Sequence, residues 1–173
     1  MSPQGPLPPP DANHYTRPDG VLPRPSVGGV ILRPVALDTA TLAGTSDGWQ
    51  VAVVVEPGPY PQLPKGGLEA GETHRDALHR ELREETGLEG VQILRELATL
   101  ERLNYARTKW QVTRYYLGTT TQQEALPPLE PGYRLEWHPL SGRSGQVPDL
   151  FWPEQTRLLR QVARQLQRNG TPF

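Results

Sequence analysis

Continuous and alternating apolar positions divide this chain into short strands and two helices, separated by proline-rich stretches. Ser26 to Arg33 (SVGGVILR) is β-branched and apolar enough for a strand that stops at Pro34, and Gly28 and Gly29 mark a bulge or the close approach of another backbone. Trp49 to Glu56 (WQVAVVVE) is the strongest strand pattern in the sequence. The small and polar residues from Val35 to the Asp47-Gly48 turn signal predict a hairpin with a long, irregular connection between these strands. Pro57-Gly58-Pro59 breaks regular structure, and Tyr60 to Lys65 (YPQLPK) runs extended toward the glycines that follow.

Thr73 with Asp76 matches a capping box and Gly87 falls where a left-handed residue closes a helix, so a helix is predicted over Thr73 to Thr86. Leu78 and Leu82 form its apolar stripe, and Glu81, Glu84 and Glu85 occupy the adjoining arc, bordering the core. Val91 to Leu103 (VQILRELATLERL) also fits a helical period, but its start after Gly90 and the clear strand of Lys109 to Thr119 favour a β-hairpin turning through Asn104 to Thr108. Gln122 to Pro131 reads as a loop carrying Glu124 and Glu130, Tyr133 to Leu140 as a short strand, and Gly142 to Pro148 as a second loop. Pro153 opens a terminal helix through Gln167, with Leu158, Leu159, Val162 and Leu166 on one face. This order predicts an α/β (α+β) fold, an α/β/α sandwich with a mixed β-sheet between helices.

The 173 residues suit one domain, expected over 26–168, with a C-terminal tail at 169–173. Residues 1–25 are crowded with proline and are expected to form a flexible N-terminal arm, either a ligand for a proline-binding module through Pro6 to Pro10 or a plain tail that packs over the domain. Lys plus Arg (18) balances Asp plus Glu (19), which argues against duplex nucleic acid as partner and leaves a small phosphorylated molecule open. With no cysteine there is no disulfide framework, thiolate zinc site or cysteine nucleophile. No apolar run reaches the length of a membrane span and no secretory pattern opens the chain, so a cytoplasmic location is the default expectation.

The chemistry concentrates between Gly66 and Leu88. Glu81, Glu84 and Glu85 stand at i, i+3 and i+4, neighbours on one helix face, where like charges repel by a few tenths of a kcal/mol per pair, roughly. A divalent cation offsets that repulsion, and Mg²⁺ or Mn²⁺ is the kind of ion a few carboxylates hold together with phosphate oxygens. A glutamate-rich helix face without further features is a solvated surface; the glycines and Glu72 at their fixed offsets set this one apart.

Gly66, five residues, Glu72, seven residues, then Arg80-Glu81-Leu82-Arg83-Glu84-Glu85-Thr86-Gly87-Leu88 resembles the Nudix box at every defined position. The resemblance implies a MutT-like pyrophosphohydrolase cleaving a phosphoanhydride, with Glu81, Glu84, Glu85 and the Gly66 carbonyl binding metal. It also implies that Arg80 orients the glutamates and that Glu72 ties loop to helix. The general base is assigned to Glu84, with Glu136 as an extra ligand or base; Glu81, Glu124, Glu130 and His138 are the other candidates. Lys65, Tyr60, Tyr105 and Lys109 are candidate substrate-binding residues, and Arg102 and Arg107 at the hairpin turn either reach an outlying phosphate or keep the edge soluble. The stretch Leu63-Pro64-Lys65-Gly66-Gly67 resembles that of Nudix hydrolases of dinucleoside polyphosphates and diphosphoinositol polyphosphates, so a dinucleoside polyphosphate is the preferred substrate. Nucleoside triphosphates and nucleotide sugars remain alternatives, as does a ligand-sensing module without turnover; an RNA-cap hydrolase lacks a clear basic stripe. Nudix domains are often homodimers, and the arm is a candidate for exchange between copies.

Overall fold

A computed structural model describes residues 7–35, 48–57 and 60–173. In chain order these form β1 (Pro23–Pro34), β2 (Trp49–Glu56), β3 (Tyr60–Gln62), β4 (Lys65–Gly67), α1 (His74–Thr86), β5 (Gln92–Leu103), β6 (Trp110–Thr119), β7 (Arg134–Leu140) and α2 (Pro153–Asn169), preceded by a 3-10 turn at Ala12–Tyr15. The strands make one mixed sheet along the path β3-β2-β1-β6-β5, with β7 added on β2 and β4 on β1. β1 and β6 run parallel, in register from Pro23 opposite Trp110 to Leu32 opposite Thr119. Among the described residues no helix is long and apolar enough to cross a membrane.

Strand alternation explains the layers. Val30, Leu32, Val51, Val53, Tyr115 and Leu117 point to one face and bury Leu158, Leu159, Val162 and Leu166 of α2. Their neighbours Val27, Ile31, Ala52 and Tyr116 point to the other and bury Leu78 and Leu82 of α1. The expected three-layer sandwich is thus the one observed.

Several boundaries differ for physical reasons. β1 begins at Pro23, ahead of the expected Ser26, because Pro23, Arg24 and Pro25 continue the parallel ladder against Trp110, Gln111 and Val112. Thr73 is the N-cap of α1, its hydroxyl accepting from Asp76 N–H at 3.1 Å, and Gly87 closes the helix at φ 73°. The helical look of Val91 to Leu103 comes from register shifts between Ile93 and Arg95 and between Glu96 and Ala98, which disturb the two-residue alternation of a strand. The long connection after Val35, the Asp47 part of its turn signal, Gly58 and Pro59, and Pro6 of the proline run lie outside the described residues.

Residues 7–22 lie against the domain. Asp11 caps the 3-10 turn by accepting from Asn13 N–H at 2.9 Å, and His14, only 4% exposed, stacks on Tyr105 with ring centroids 5.5 Å apart. The Tyr15 hydroxyl donates to Glu154 Oε2 at 2.6 Å.

Candidate active site

β4 and α1 build the acidic centre. Gly66 pairs with Val27 in the sheet, and a Cβ on Gly66 would overlap the Glu81 carboxylate, so glycine leaves free the space this carboxylate occupies. Arg80 is the hub. Its Nη1 donates to Glu81 Oε1 at 2.7 Å and to Glu84 Oε2 at 3.2 Å, its Nε to Glu72 Oε1 at 3.0 Å, and its Nη2 to the Gly67 carbonyl at 2.9 Å. Burial works against this guanidinium's charge, but the hydrogen bonds to Glu81 and Glu72 more than offset it and hold the group protonated. One side chain thereby ties β4, the following loop and two glutamates together.

Glu81 and Glu85 are 7% and 5% exposed, and burial raises the affinity of both carboxylates for protons. Arg80 opposes that shift at Glu81; at Glu85, Lys65 does so through its charge and its N–H, which donates to Glu85 Oε2 at 3.1 Å. Oxygens of Glu81, Glu84 and Glu130 all lie within 4.8 Å of one another. Glu130 arrives on the loop after β6, which docks on the end of α1 through Leu126 N–H to the Gly87 carbonyl at 3.1 Å and Glu130 N–H to the Glu84 carbonyl at 2.9 Å. A Cβ on Gly87 would strike the Leu126 carbonyl, so this glycine both closes the helix and admits the loop. Glu136 is placed differently. It accepts from Arg134 Nη2 at 3.0 Å and lies 3.1 Å from His138 Nε2 on β7, contacts that keep its carboxyl below the usual carboxylate range.

Beside this centre is a cavity of about 220 Å³ whose walls include Tyr60, Tyr105, Phe151, Trp152, Lys65 and Arg102. Phe151 packs against Tyr60 and Tyr105 with centroids 5.2 and 5.7 Å apart. The half-buried Lys65 links cavity and acidic centre: burial and Arg102 depress its proton affinity, against the pull of Glu85, Glu56 and Glu81. Gln62, 3% exposed, also lines the cavity, and its Oε1 has no hydrogen-bond partner among the described residues. Lys109 does not join Lys65, Tyr60 and Tyr105; it borders a separate, more open cleft with Thr108 and the segment from Gly20 to Pro25.

Arg102 does not stand at the edge of the hairpin turn as a solubilising charge; it lines the cavity. It is 4% exposed, donates from Nε to Glu154 Oε1 at 2.6 Å, and places its guanidinium carbon 3.4 Å from the Trp152 ring centroid. Arg107 is paired outside the cavity with Asp11 at 2.8 Å. Gln62, Glu56, Phe151 and Trp152 were not singled out as site residues by sequence reasoning. The Phe151-Trp152 doublet ahead of the Pro153 helix start was the available signal, since two adjacent large aromatics cannot both turn into one helix face.

The NUDIX domain profile matches residues 24–161. An RNA pyrophosphohydrolase of Mesorhizobium japonicum (strain LMG 29417 / CECT 9101 / MAFF 303099) is 28% identical over 164 residues, covering 80% of this chain and 87% of that protein. The fold is similar to that of a C. elegans Ap4A hydrolase binary complex, with a TM-score of 0.63 and 20% identity over 84% of this chain and 98% of the other. It is similar as well to the NUDIX domain of Shewanella oneidensis NrtR complexed with ADP ribose, with a TM-score of 0.59 and 19% identity over 84% and 89% of the two chains.

Proposed function

Because this chain belongs to the NUDIX domain family, we propose that it is a metal-dependent pyrophosphohydrolase that cleaves a phosphoanhydride in a nucleoside-linked diphosphate or polyphosphate, a dinucleoside polyphosphate being the preferred substrate. The observation that carries this reading is the convergence of the Glu81, Glu84 and Glu130 oxygens beside an aromatic cavity that shares Lys65 with the acidic centre.

The donor set suits Mg²⁺ or Mn²⁺, hard ions that take carboxylate oxygens and keep positions for phosphate and water. Glu81, Glu84 and Glu130 would hold the ion, with Glu85 and the Gly66 carbonyl as further ligands. When bound, the ion supplies charge neutralisation at the phosphoryl oxygens and a more acidic water. The protein's own residues do the positioning. Arg80 fixes the Glu81 and Glu84 carboxylates through Nη1, leaving their other oxygens available. Glu84 is assigned as general base, with Glu136 as the alternative to be tested. Lys65 meets a substrate phosphate as a point charge from the wall of the cavity, with Glu85, Glu56 and Glu81 favouring its protonated form against burial and Arg102.

The nucleoside end fits the cavity. Tyr60 and Tyr105 offer aromatic faces, and the unpartnered Gln62 Oε1 accepts an N–H from a base edge. The likeness to an RNA pyrophosphohydrolase sequence accords with a nucleotide-containing substrate.

The test is hydrolysis, followed by phosphorus NMR, of dinucleoside polyphosphates, nucleoside triphosphates, nucleotide sugars, diphosphoinositol polyphosphates and 5′-triphosphorylated RNA, each with Mg²⁺ or Mn²⁺. Release from a nucleoside-linked substrate is expected. Inactivity on all five classes would remove the reading.

A further inference from the structure

The segment from Leu7 to Tyr15 has two parts held in different ways. Asp11 to Tyr15 is anchored: Asp11 pairs with Arg107 at 2.8 Å, His14 is buried between Tyr105 and Trp152 with centroids 5.5 and 5.7 Å away, and Tyr15 donates to the buried Glu154 at 2.6 Å. The stretch Leu7 to Pro10 is held at its tip by two solvent-exposed hydrogen bonds. Leu7 N–H donates to the Tyr60 hydroxyl at 2.8 Å, and the Tyr105 hydroxyl donates to the Pro8 carbonyl at 3.0 Å. Pro8, Pro9 and Pro10 stiffen that stretch, so it keeps its direction away from the anchor with little ordering cost. Leu7 itself lines the aromatic cavity.

We propose that Leu7 to Pro10 is a wall of the substrate pocket, and that Leu7 is a substrate-binding residue that contacts the base of a bound nucleotide. The proposal rests on the reading of the cavity as the nucleoside site. Its particular support is that the two tyrosines whose rings border the cavity are the same two whose hydroxyls hold the arm. A base that settles against Tyr60 and Tyr105 therefore meets the arm as well. Leu7 adds an apolar side chain to the cavity wall, and at 37% exposure it has surface left to bury against a ligand.

The chain contains no cysteine, so Leu7→Cys in the full-length protein introduces a single thiol whose alkylation reads the arm directly. ADP and GDP are each expected to slow its alkylation at least fivefold, and to leave unchanged the rate for Phe173→Cys, at a position 71% exposed. Leu7→Arg is expected to raise KM for the nucleoside-linked substrate at least fivefold with kcat within twofold, a split that general destabilisation does not produce. Equal alkylation rates with and without nucleotide overturn the proposal whatever the activity of the wild type. Protection of the thiol in a protein that turns over no nucleoside-linked compound would keep the wall and remove the hydrolase, so the two failures are distinguishable.

Discussion

The Glu81 carboxylate fills the space that a side chain on Gly66 would require. The carboxylate, held by Arg80, stands against the strand at a residue that has no side chain. Gly66→Ala is expected to push Glu81 away from Glu84 and Glu130, lowering kcat by about 10²-fold, the scale of an ångström-sized misplacement in an active site. Mn²⁺ titration by calorimetry should weaken in parallel, and retention of wild-type turnover would remove the argument.

Glu84→Gln and Glu130→Gln should each lower kcat by about 10²–10⁴-fold, the range for loss of a general base or of a charge at a metal site. Glu136→Gln should stay within a few-fold of wild type, since its carboxylate is engaged by Arg134 and His138. Steady-state kinetics on the three variants separates these assignments. A collapse in Glu136→Gln with normal turnover in Glu130→Gln would exchange the roles.

Tyr105→Ala should raise KM for a nucleoside-linked substrate by about 5- to 150-fold, equivalent to about 1–3 kcal/mol of lost stacking. Lys109→Ala, at a separate cleft, should leave KM unchanged. Initial-rate measurements over a substrate series decide between them.

Glu154→Ala would leave Arg102 buried and without its carboxylate, at a cost of about 3–5 kcal/mol. For a chain of this size each kcal/mol corresponds to about 2–4 °C, so Tm should fall by roughly 6–20 °C. Tyr15→Phe, which removes one hydrogen bond to the same carboxylate, should cost about 1 kcal/mol. Differential scanning calorimetry measures both.

Tyr115 lies 1% exposed in the core beside α2, and burial, opposed by Arg102 and by the Gln155 amide and aided by Glu154, pushes its phenol up to about 12. The folded state thus holds this proton more tightly than the unfolded state, whose tyrosines ionise near about 10. Its contribution to stability is complete below pH ~10 and is lost as pH rises from about 10 to about 12. Denaturant unfolding across that window should show Tyr115→Phe losing less stability with rising pH than the wild type does.

The acidic centre was legible in the sequence because the box places its parts by local rules: a cap at Thr73, a stop at Gly87 and a helical repeat bringing Glu81, Glu84 and Glu85 to one arc. The strands were legible from alternation, and β5 was ambiguous because its bulges disturb that alternation. Glu130 could only be one of several candidates. Its approach depends on backbone hydrogen bonds between a loop and the end of α1, contacts between residues 39 and 46 positions apart that no local pattern encodes. Arg102 looked like turn chemistry, since its buried partner Glu154 belongs to the terminal helix. The cavity was the least legible part, because Tyr60, Tyr105 and Phe151 come from three separate segments.

The parallel pairing of β1 with β6 also bears on how the molecule is made. The strand at the middle of the sheet waits for a partner that ends at Thr119, while the antiparallel ladder from β1 to β2 spans only Leu32 to Pro34 opposite Trp49 to Val51. Chain closure over so many residues precedes the reward of the contact, which slows folding. A nascent chain released from the ribosome before β6 emerges would carry β1 with a long open edge, so truncation ahead of Trp110 should give aggregation and proteolysis in place of a partly active fragment.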